Sequence, residues 1–278
     1  MQSTKNEQPA SESTALAGRF AVVVGGSGGI GRAVSVELAR RGATVLAHGR
    51  HASAKALEMP SGDAAGAAGG MSQGGADDMP EDGASSRHLT FDREFDTPHE
   101  FLSALDERLR ALGAEPDLLI CSFGPFLERP LADTSAADWE RLAMANLALP
   151  GALASHFLPG MLRRGFGRFL FFGGTRTDSI RGFRQTAAYA AAKTGLGVLV
   201  KSIALEGASR NVAAALVCPG PTETEYQDAS TRARHAGLTP RGNLASASLV
   251  ARAAVDLIDA DPCLASGAIV ALDGGFAP

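Results

Sequence analysis

Apolar positions along this 278-residue chain fall into two alternating rhythms, short β-branched runs and longer helical stripes. Phe20-Ala21-Val22-Val23-Val24 is a run of the first kind, and Val34, Leu38 and Ala39 recur behind it at helical spacing as far as Arg40. Arg40-Arg41-Gly42 supplies cations and a glycine where that helix should stop. Residues 43–48 read as a second strand ending at Gly49-Arg50, and residues 89–92 as a third. Beyond Pro98, Phe101, Leu102, Leu105, Leu109 and Leu112 trace one helical face that Gly113 closes, and residues 118–120 form the next strand. A long helical pattern over 139–156 meets Pro150, which should bend rather than end it. A strand at 169–172, a helix at 189–209 carrying Leu196, Leu199, Val200, Ile203 and Leu205, and a closing strand at 269–272 complete the alternation. Such βα alternation predicts an α/β fold with a doubly wound, mostly parallel sheet and helices on both faces.

The turn between the first strand and helix is Gly25-Gly26-Ser27-Gly28-Gly29-Ile30-Gly31. Free amides at the helix N-terminus point into a turn without side chains, so a pyrophosphate can approach the backbone closely. In the strand-to-helix position of a first βαβ unit this predicts a Rossmann-like dinucleotide site. At the end of the second strand, Gly49 stands where an acid would bind a ribose 2′-hydroxyl, and Arg50 suits a 2′-phosphate, with His48 as a helper. NADP is therefore expected over NAD.

Tyr189-Ala190-Ala191-Ala192-Lys193 places a phenol and an amine on the same helical face. A cation within reach lowers a phenol's pKa from roughly 10 by about 1 to 3 units, toward the range for proton transfer near neutral pH.

Bulk numbers narrow the setting. The chain is 45% hydrophobic and 20% charged, with a net charge of -4, which argues against a general nucleic-acid partner. No apolar run approaches the roughly 18 residues of a bilayer span, so no membrane association is expected. Residues 1–17 are polar and read as a loose tail, neither secretory signal nor transit peptide, ahead of a single domain over 18–278. Three cysteines, Cys121, Cys218 and Cys263, point to a reduced cytoplasmic setting without structural disulfides, and no spacing suggests a metal site. The glycine-rich segment 52–87 carries little apolar surface and reads as a mobile insertion, tolerated at the surface or acting as a lid.

Taken together, these motifs make residues 18–276 resemble the short-chain dehydrogenase/reductase family. Its GxxxGxG motif falls on Gly25, Gly29 and Gly31, and its YxxxK motif on Tyr189 and Lys193. The resemblance implies adenine contact by Asp92, a relay water held by Asn146, a proline-glycine at Pro219-Gly220 and a nicotinamide carboxamide contact by Thr224. It extends cofactor binding to Ser27, Gly28, Ile30, Arg50, Gly124 and Thr222, as well as to Tyr189, Lys193 and Asn146. It also implies reversible hydride transfer between NADP(H) and a small-molecule carbonyl/alcohol pair, with Tyr189 as acid/base and Lys193 holding the nicotinamide ribose. The helices bearing Asn146 and Tyr189 would form the contact of a homo-oligomer, a tetramer or a dimer.

Two departures stand out. Cys121-Ser122-Phe123-Gly124 replaces the family's Asn-Asn-Ala-Gly, keeping the final glycine. Where the family has a catalytic serine, Gly173-Gly174-Thr175 follows the strand: strand alignment selects Gly174, and counting back from Tyr189 selects Arg176. Thr175 lies between and is the candidate donor, with Thr177 and Ser179 as alternatives. The missing serine also admits a rival reading, an NADP-binding regulatory or structural protein with little turnover. Arg176, Arg181 and Arg184, just ahead of Tyr189, either receive an anionic substrate or phosphopantetheine carrier or form a solvated loop. Residues 221–242 correspond to the variable loop over the active site.

Overall fold

A computed structural model describes residues 14–50 and 88–276. Seven parallel strands form one sheet in the order β3-β2-β1-β4-β5-β6-β9: β1 Phe20–Val24, β2 Thr44–Gly49, β3 His88–Asp92, β4 Leu118–Cys121, β5 Gly167–Phe172, β6 Val212–Pro219 and β9 Ala268–Leu272. This is the Rossmann-like architecture expected from the alternating pattern. Two short strands, β7 (Thr222–Glu223) and β8 (Ala245–Ser246), pair beside it.

Successive strand residues face opposite sides, so each strand feeds two cores. Val22 and Val24 join the layer under α2 (Pro98–Leu112), α4 (Leu149–Arg164) and α5 (Ala187–Gly207). Ala21 and Val23 join the layer under α1 (Gly29–Arg40) and α7 (Ala247–Asp256). Burial on both faces explains why these strands read as unbroken apolar runs.

Helix ends follow local chemistry. Thr97 caps α2 by accepting from the Glu100 amide, Pro98 occupies its first turn, and Gly113 ends it at φ 59. Ser135 and Asp138 form a reciprocal capping box on α3 (Ala136–Ala143). Arg41, at the end of α1, pairs with Asp256 and Asp259 and thereby ties α1 to α7.

The expectations for the tail and for the long helices change. The loose tail was drawn to residue 17, yet Leu16 is fully buried with Val34 and Leu38, and Thr14 donates to the Arg41 carbonyl. A buried leucine of this kind contributes about 1.5–3 kcal/mol, enough to fasten the chain before β1. Segment 52–87 lies outside the described residues. The helices spanning Ala136–Arg164 and Ala187–Arg210 are long and apolar enough to cross a membrane by length and composition, contrary to the run-length expectation. Their apolar surface is divided between the core and an exposed face that includes Met144, Leu147, Val198 and Leu205, so Leu205 is not the core residue its spacing suggested.

The connection between β4 and β5 contains a feature the sequence reading missed. Between α3 and α4 the backbone widens into a π-turn, Met144–Ala148, closed by the Leu149 amide donating to the Met144 carbonyl. Pro150 follows in the first turn of α4. Lacking an N–H, it cannot satisfy the carbonyl of Asn146, four residues back. The proline thus marks a local break in α-helical bonding at Asn146 rather than the bend expected at residue 150 itself.

Candidate active site

At the carboxyl ends of β1 and β4, where the sheet order reverses direction, two adjoining cavities open. The first, about 670 Å³, is lined by Gly25, Ser27, Gly28, Gly29, Ile30, Gly31, Arg50 and Thr224. The second, about 730 Å³, is lined by Thr175, Tyr189, Lys193, Pro219, Gly220, Thr222 and Thr224. Ile30, Ser122, Gly124 and Thr224 border both, making one continuous cleft.

The glycine turn fits a phosphate ligand. Gly25 adopts φ +84 and packs against the Phe123 backbone. A Cβ at Gly31 would collide with the Gly25 carbonyl and the Ser122 hydroxyl. The N-cap of α1 is Gly28, without a side-chain cap, and the Gly29 amide lies 3.0 and 3.2 Å from the two carboxylate oxygens of Glu225. That carboxylate stands where an oxyanion is favoured by the free amides and the helix dipole. Tyr226 lies across Gly28 and Gly29 beside it. The turn thus has the close backbone approach and the helix N-terminus that a phosphate needs, with residues 224–226 folded over it.

His48 has a different place from the one expected. It is 1% exposed; its Nδ1 accepts from the Gly25 amide at 3.2 Å and its Nε2 donates to the Arg93 carbonyl at 3.0 Å. Burial among Phe91, Phe101 and Phe123 pushes its pKa down to about 4. A neutral imidazole with both nitrogens engaged holds the turn and is not a 2′-phosphate helper. Arg50 and Ser27 remain at that end, without an ion pair or hydrogen bond to a described residue. A Cβ at Gly49 would run into Ser27, so an acid there has no room. Asp92 ends β3 opposite Gly49 in register, while Glu94 and Phe95 line the cavity.

At the other end, α5 sets Tyr189 and Lys193 on one face, with Lys193 Nζ 5.9 Å from the Tyr189 ring centroid. The ammonium donates to the Phe172 carbonyl at 3.0 Å, not to the phenol. Burial pushes the Tyr189 phenol above its ordinary value and pulls Lys193 down to about 8. The phenol therefore shifts up rather than down, because burial disfavours its charged form and the lysine ammonium is turned to the Phe172 carbonyl. Phe126 packs edge-on against Tyr189, with centroids 5.0 Å apart.

Gly174 occupies the position at which strand alignment placed the missing serine. Its missing Cβ would lie 2.7 Å from Tyr189 Cε1 and 3.1 Å from the phenolic oxygen. The Thr175 hydroxyl donates to the Pro219 carbonyl at 3.0 Å, so its hydrogen is committed to the backbone rather than free for a substrate. Thr177 donates to the Gly174 carbonyl, and Ser179 accepts from Arg181. Neither alternative presents a free hydroxyl hydrogen at Tyr189 without rearrangement of Thr177, and Ser179 is outside the cavity lining.

Asn146 is fully buried behind Gly124; its Nδ2 donates to the Pro125 carbonyl at 3.0 Å and its Oδ1 has no hydrogen-bond partner among the described residues. Thr222 donates to the Gly220 carbonyl, and the Gly220 amide donates to the Leu272 carbonyl, fixing the turn after β6. Of the three arginines singled out in sequence, Arg176 and Arg184 line the Tyr189 cavity, whereas Arg181 is drawn to Asp178 and Ser179. Arg234 and His235, on α6 (Ala229–Ala236), also line it and were not anticipated.

The family model described as enoyl-(acyl carrier protein) reductase matches residues 97–277. The 3-oxoacyl-(acyl-carrier-protein) reductase of Escherichia coli (strain K12) is 30% identical over 263 residues, covering 93% of this chain and 97% of that protein. The chain belongs to the short-chain dehydrogenase/reductase family. Within this family of oxidoreductases, a cis-4-hydroxycyclohexanecarboxylate dehydrogenase of Sinomonas cyclohexanicum is 30% identical over 270 residues, covering 94% of this chain and 98% of its own. The fold also matches a solved putative gluconate dehydrogenase from Agrobacterium tumefaciens at a TM-score of 0.76, with 24% identity and coverage of 94% and 96%. Family membership makes the chain an oxidoreductase; cofactor choice and the proton-transferring group rest on the site itself.

Proposed function

We propose that this chain is an NADP(H)-dependent oxidoreductase that interconverts a carbonyl and an alcohol, with Tyr189 as the acid/base. The observation that carries the reading is the continuity of the cleft from the glycine turn to Tyr189. Arg50 and Ser27 lining that end of the cleft, and the absence of room for an acid at Gly49, favour a 2′-phosphate over a bare ribose hydroxyl.

When bound, the nicotinamide would supply or take up the hydride. In reduction, Tyr189 Oη would give its proton to the carbonyl oxygen as the carbon gains hydride; in oxidation it would accept the proton back. Burial keeps the phenol protonated at neutral pH, ready to donate. Lys193, held by the Phe172 carbonyl, would bind the ribose and offset phenolate charge as it develops. Asn146, whose Oδ1 lacks a hydrogen-bond partner among the described residues, would hold a relay water. With Gly174 in place of a serine and the Thr175 hydrogen committed to Pro219, Tyr189 would carry most of the contact to the substrate oxygen. Exposed Met144, Leu147, Val198 and Leu205 on the helices bearing Asn146 and Tyr189 favour a homo-oligomer, a tetramer or a dimer.

The same Gly174 supports a second reading, cofactor binding without turnover. Mixing the protein with NADPH and a panel of ketones, diketones and β-ketoacyl thioesters separates the two. Loss of reduced-cofactor absorbance with substrate supports the enzyme, and tight cofactor binding without oxidation of NADPH by any carbonyl supports the alternative.

A further inference from the structure

The wall around Tyr189 carries more positive charge than its own ion pairs use. Nearby arginines are mostly engaged: Arg129 with Asp138 at 2.7 Å, Arg181 with Asp178 at 3.5 Å and Arg232 with Glu223 at 3.1 Å. Arg176, Arg184 and Arg234 differ. All three line the Tyr189 cavity, and their side chains make no hydrogen bond or ion pair with a described residue. Glu128 is the one carboxylate among the described residues lining that cavity.

The backbone adds a second observation. Arg176 adopts φ 64, a left-handed conformation that costs a non-glycine residue about 1 kcal/mol or more. Its neighbours enforce it, Thr175 through Pro219 and Thr177 through Gly174. A strained arginine from the loop after β5 is thus placed on the same cavity as Arg234 from α6, so two separate elements contribute guanidiniums to one space. The same cavity is lined by the apolar side chains of Phe126, Phe183, Leu238 and Phe276.

From this arrangement we infer that the substrate is a small carbonyl or hydroxy compound bearing a carboxylate, with an apolar ring or short chain between the two groups. A guanidinium fork matches a carboxylate in two parallel hydrogen bonds, and the apolar lining suits the carbon skeleton between the two polar ends. The inference rests on the redox reading for the reacting end of the substrate. The anion-binding end stands on the arginines alone.

The test uses the full chain and separates binding from turnover. Calorimetry compares cyclohexanecarboxylate with cyclohexanecarboxamide, with and without NADPH. The acid should bind at least about tenfold tighter, the equivalent of one charge-assisted contact. Arg176→Gln, Arg184→Gln and Arg234→Gln together should bring the ratio close to one, while Arg176→Lys, Arg184→Lys and Arg234→Lys together should retain part of it. Equal binding of acid and amide, failure of both to bind, or a preference that survives the triple glutamine variant would overturn the proposal. Tighter binding of cyclohexyl phosphate than of the carboxylate would overturn the assignment to a carboxylate. In the turnover arm, 4-oxocyclohexanecarboxylate should be reduced with a higher kcat/KM than its amide. Equal kcat/KM would sink the anion site while sparing the redox reading. Selective binding of the acid with no reduction of either compound would sink the redox reading and leave the anion site standing.

Discussion

The two ends of the cleft are built on different principles. At the glycine-rich end, the candidate site is made of backbone: free amides at the start of α1, a turn without side chains, and a buried His48 that fastens the Gly25 amide. At the Tyr189 end it resides in side chains whose charged forms burial disfavours, held by contacts between distant segments, such as Lys193 with Phe172 and Thr175 with Pro219. A backbone site is specified by a short run of small residues. A side-chain site depends on which neighbours the fold brings, and here the fold brings glycine where the family has serine.

Perturbing each end separately sharpens that contrast. A large effect is expected from Lys193→Met, which should cut kcat by about 10²- to 10³-fold, as removal of a charge-stabilising group typically does. The same change should make the fold more stable at pH 7, by about 2–3 kcal/mol, because it removes a buried ammonium whose pKa has fallen from 10.5 to about 8. Between about pH 8 and 10.5 the unfolded wild-type chain holds the Lys193 proton that the folded chain has lost. Wild-type stability should therefore rise with pH relative to the variant across that window, as denaturant titrations would reveal. A variant less stable than wild type at pH 7 would mean that the ammonium is solvated.

At the backbone end, Gly31→Val should weaken cofactor binding by about 10- to 100-fold through collision with Gly25 and Ser122, measured by quenching or enhancement of cofactor fluorescence. Unchanged affinity would place the phosphates elsewhere. An intermediate effect, about tenfold, is expected from Gly174→Ser, and its direction is informative. Because a Cβ there lies 2.7 Å from the Tyr189 ring, the serine should lower kcat by displacing the phenol rather than raise it by adding a donor. A rise in kcat would mean that Gly174 is a lost hydroxyl and nothing more.

The smallest effect joins the two ends. Glu225→Gln removes the carboxylate charge at the Gly29 amide, which a cofactor phosphate would have to displace. Charge at a helix N-terminus is worth about 0.3–1 kcal/mol, so cofactor affinity should rise about two- to fivefold, as equilibrium titration would show. Weaker binding in the variant would mean that Glu225 assists the cofactor.

What was legible in the chain follows the same division. The strands, α1, the glycine turn and the Tyr189/Lys193 face are local patterns, and each could be read within a dozen or so neighbouring positions. Asn146 was legible by family likeness, and the π-turn had its own signal in Pro150, whose missing donor falls on the Asn146 carbonyl. The rest depends on pairs far apart in the chain. Glu225 reaches Gly29 across 196 residues, and Thr175 reaches Pro219 across 44. Arg234 joins the Tyr189 wall only because α6 folds over it. The upward phenol shift was also hidden, since sequence reveals that a lysine is one turn away but not how far the fold withdraws each group from water.

The central claim is that Tyr189 moves the proton in a cleft that binds cofactor independently of it. Single-turnover oxidation of NADPH by a reducible carbonyl, in wild type and in Tyr189→Phe, with cofactor affinity measured on the same samples, tests this directly. The account predicts a loss of about 10²- to 10⁴-fold in rate with affinity within about twofold. Comparable rates in the two proteins would contradict it.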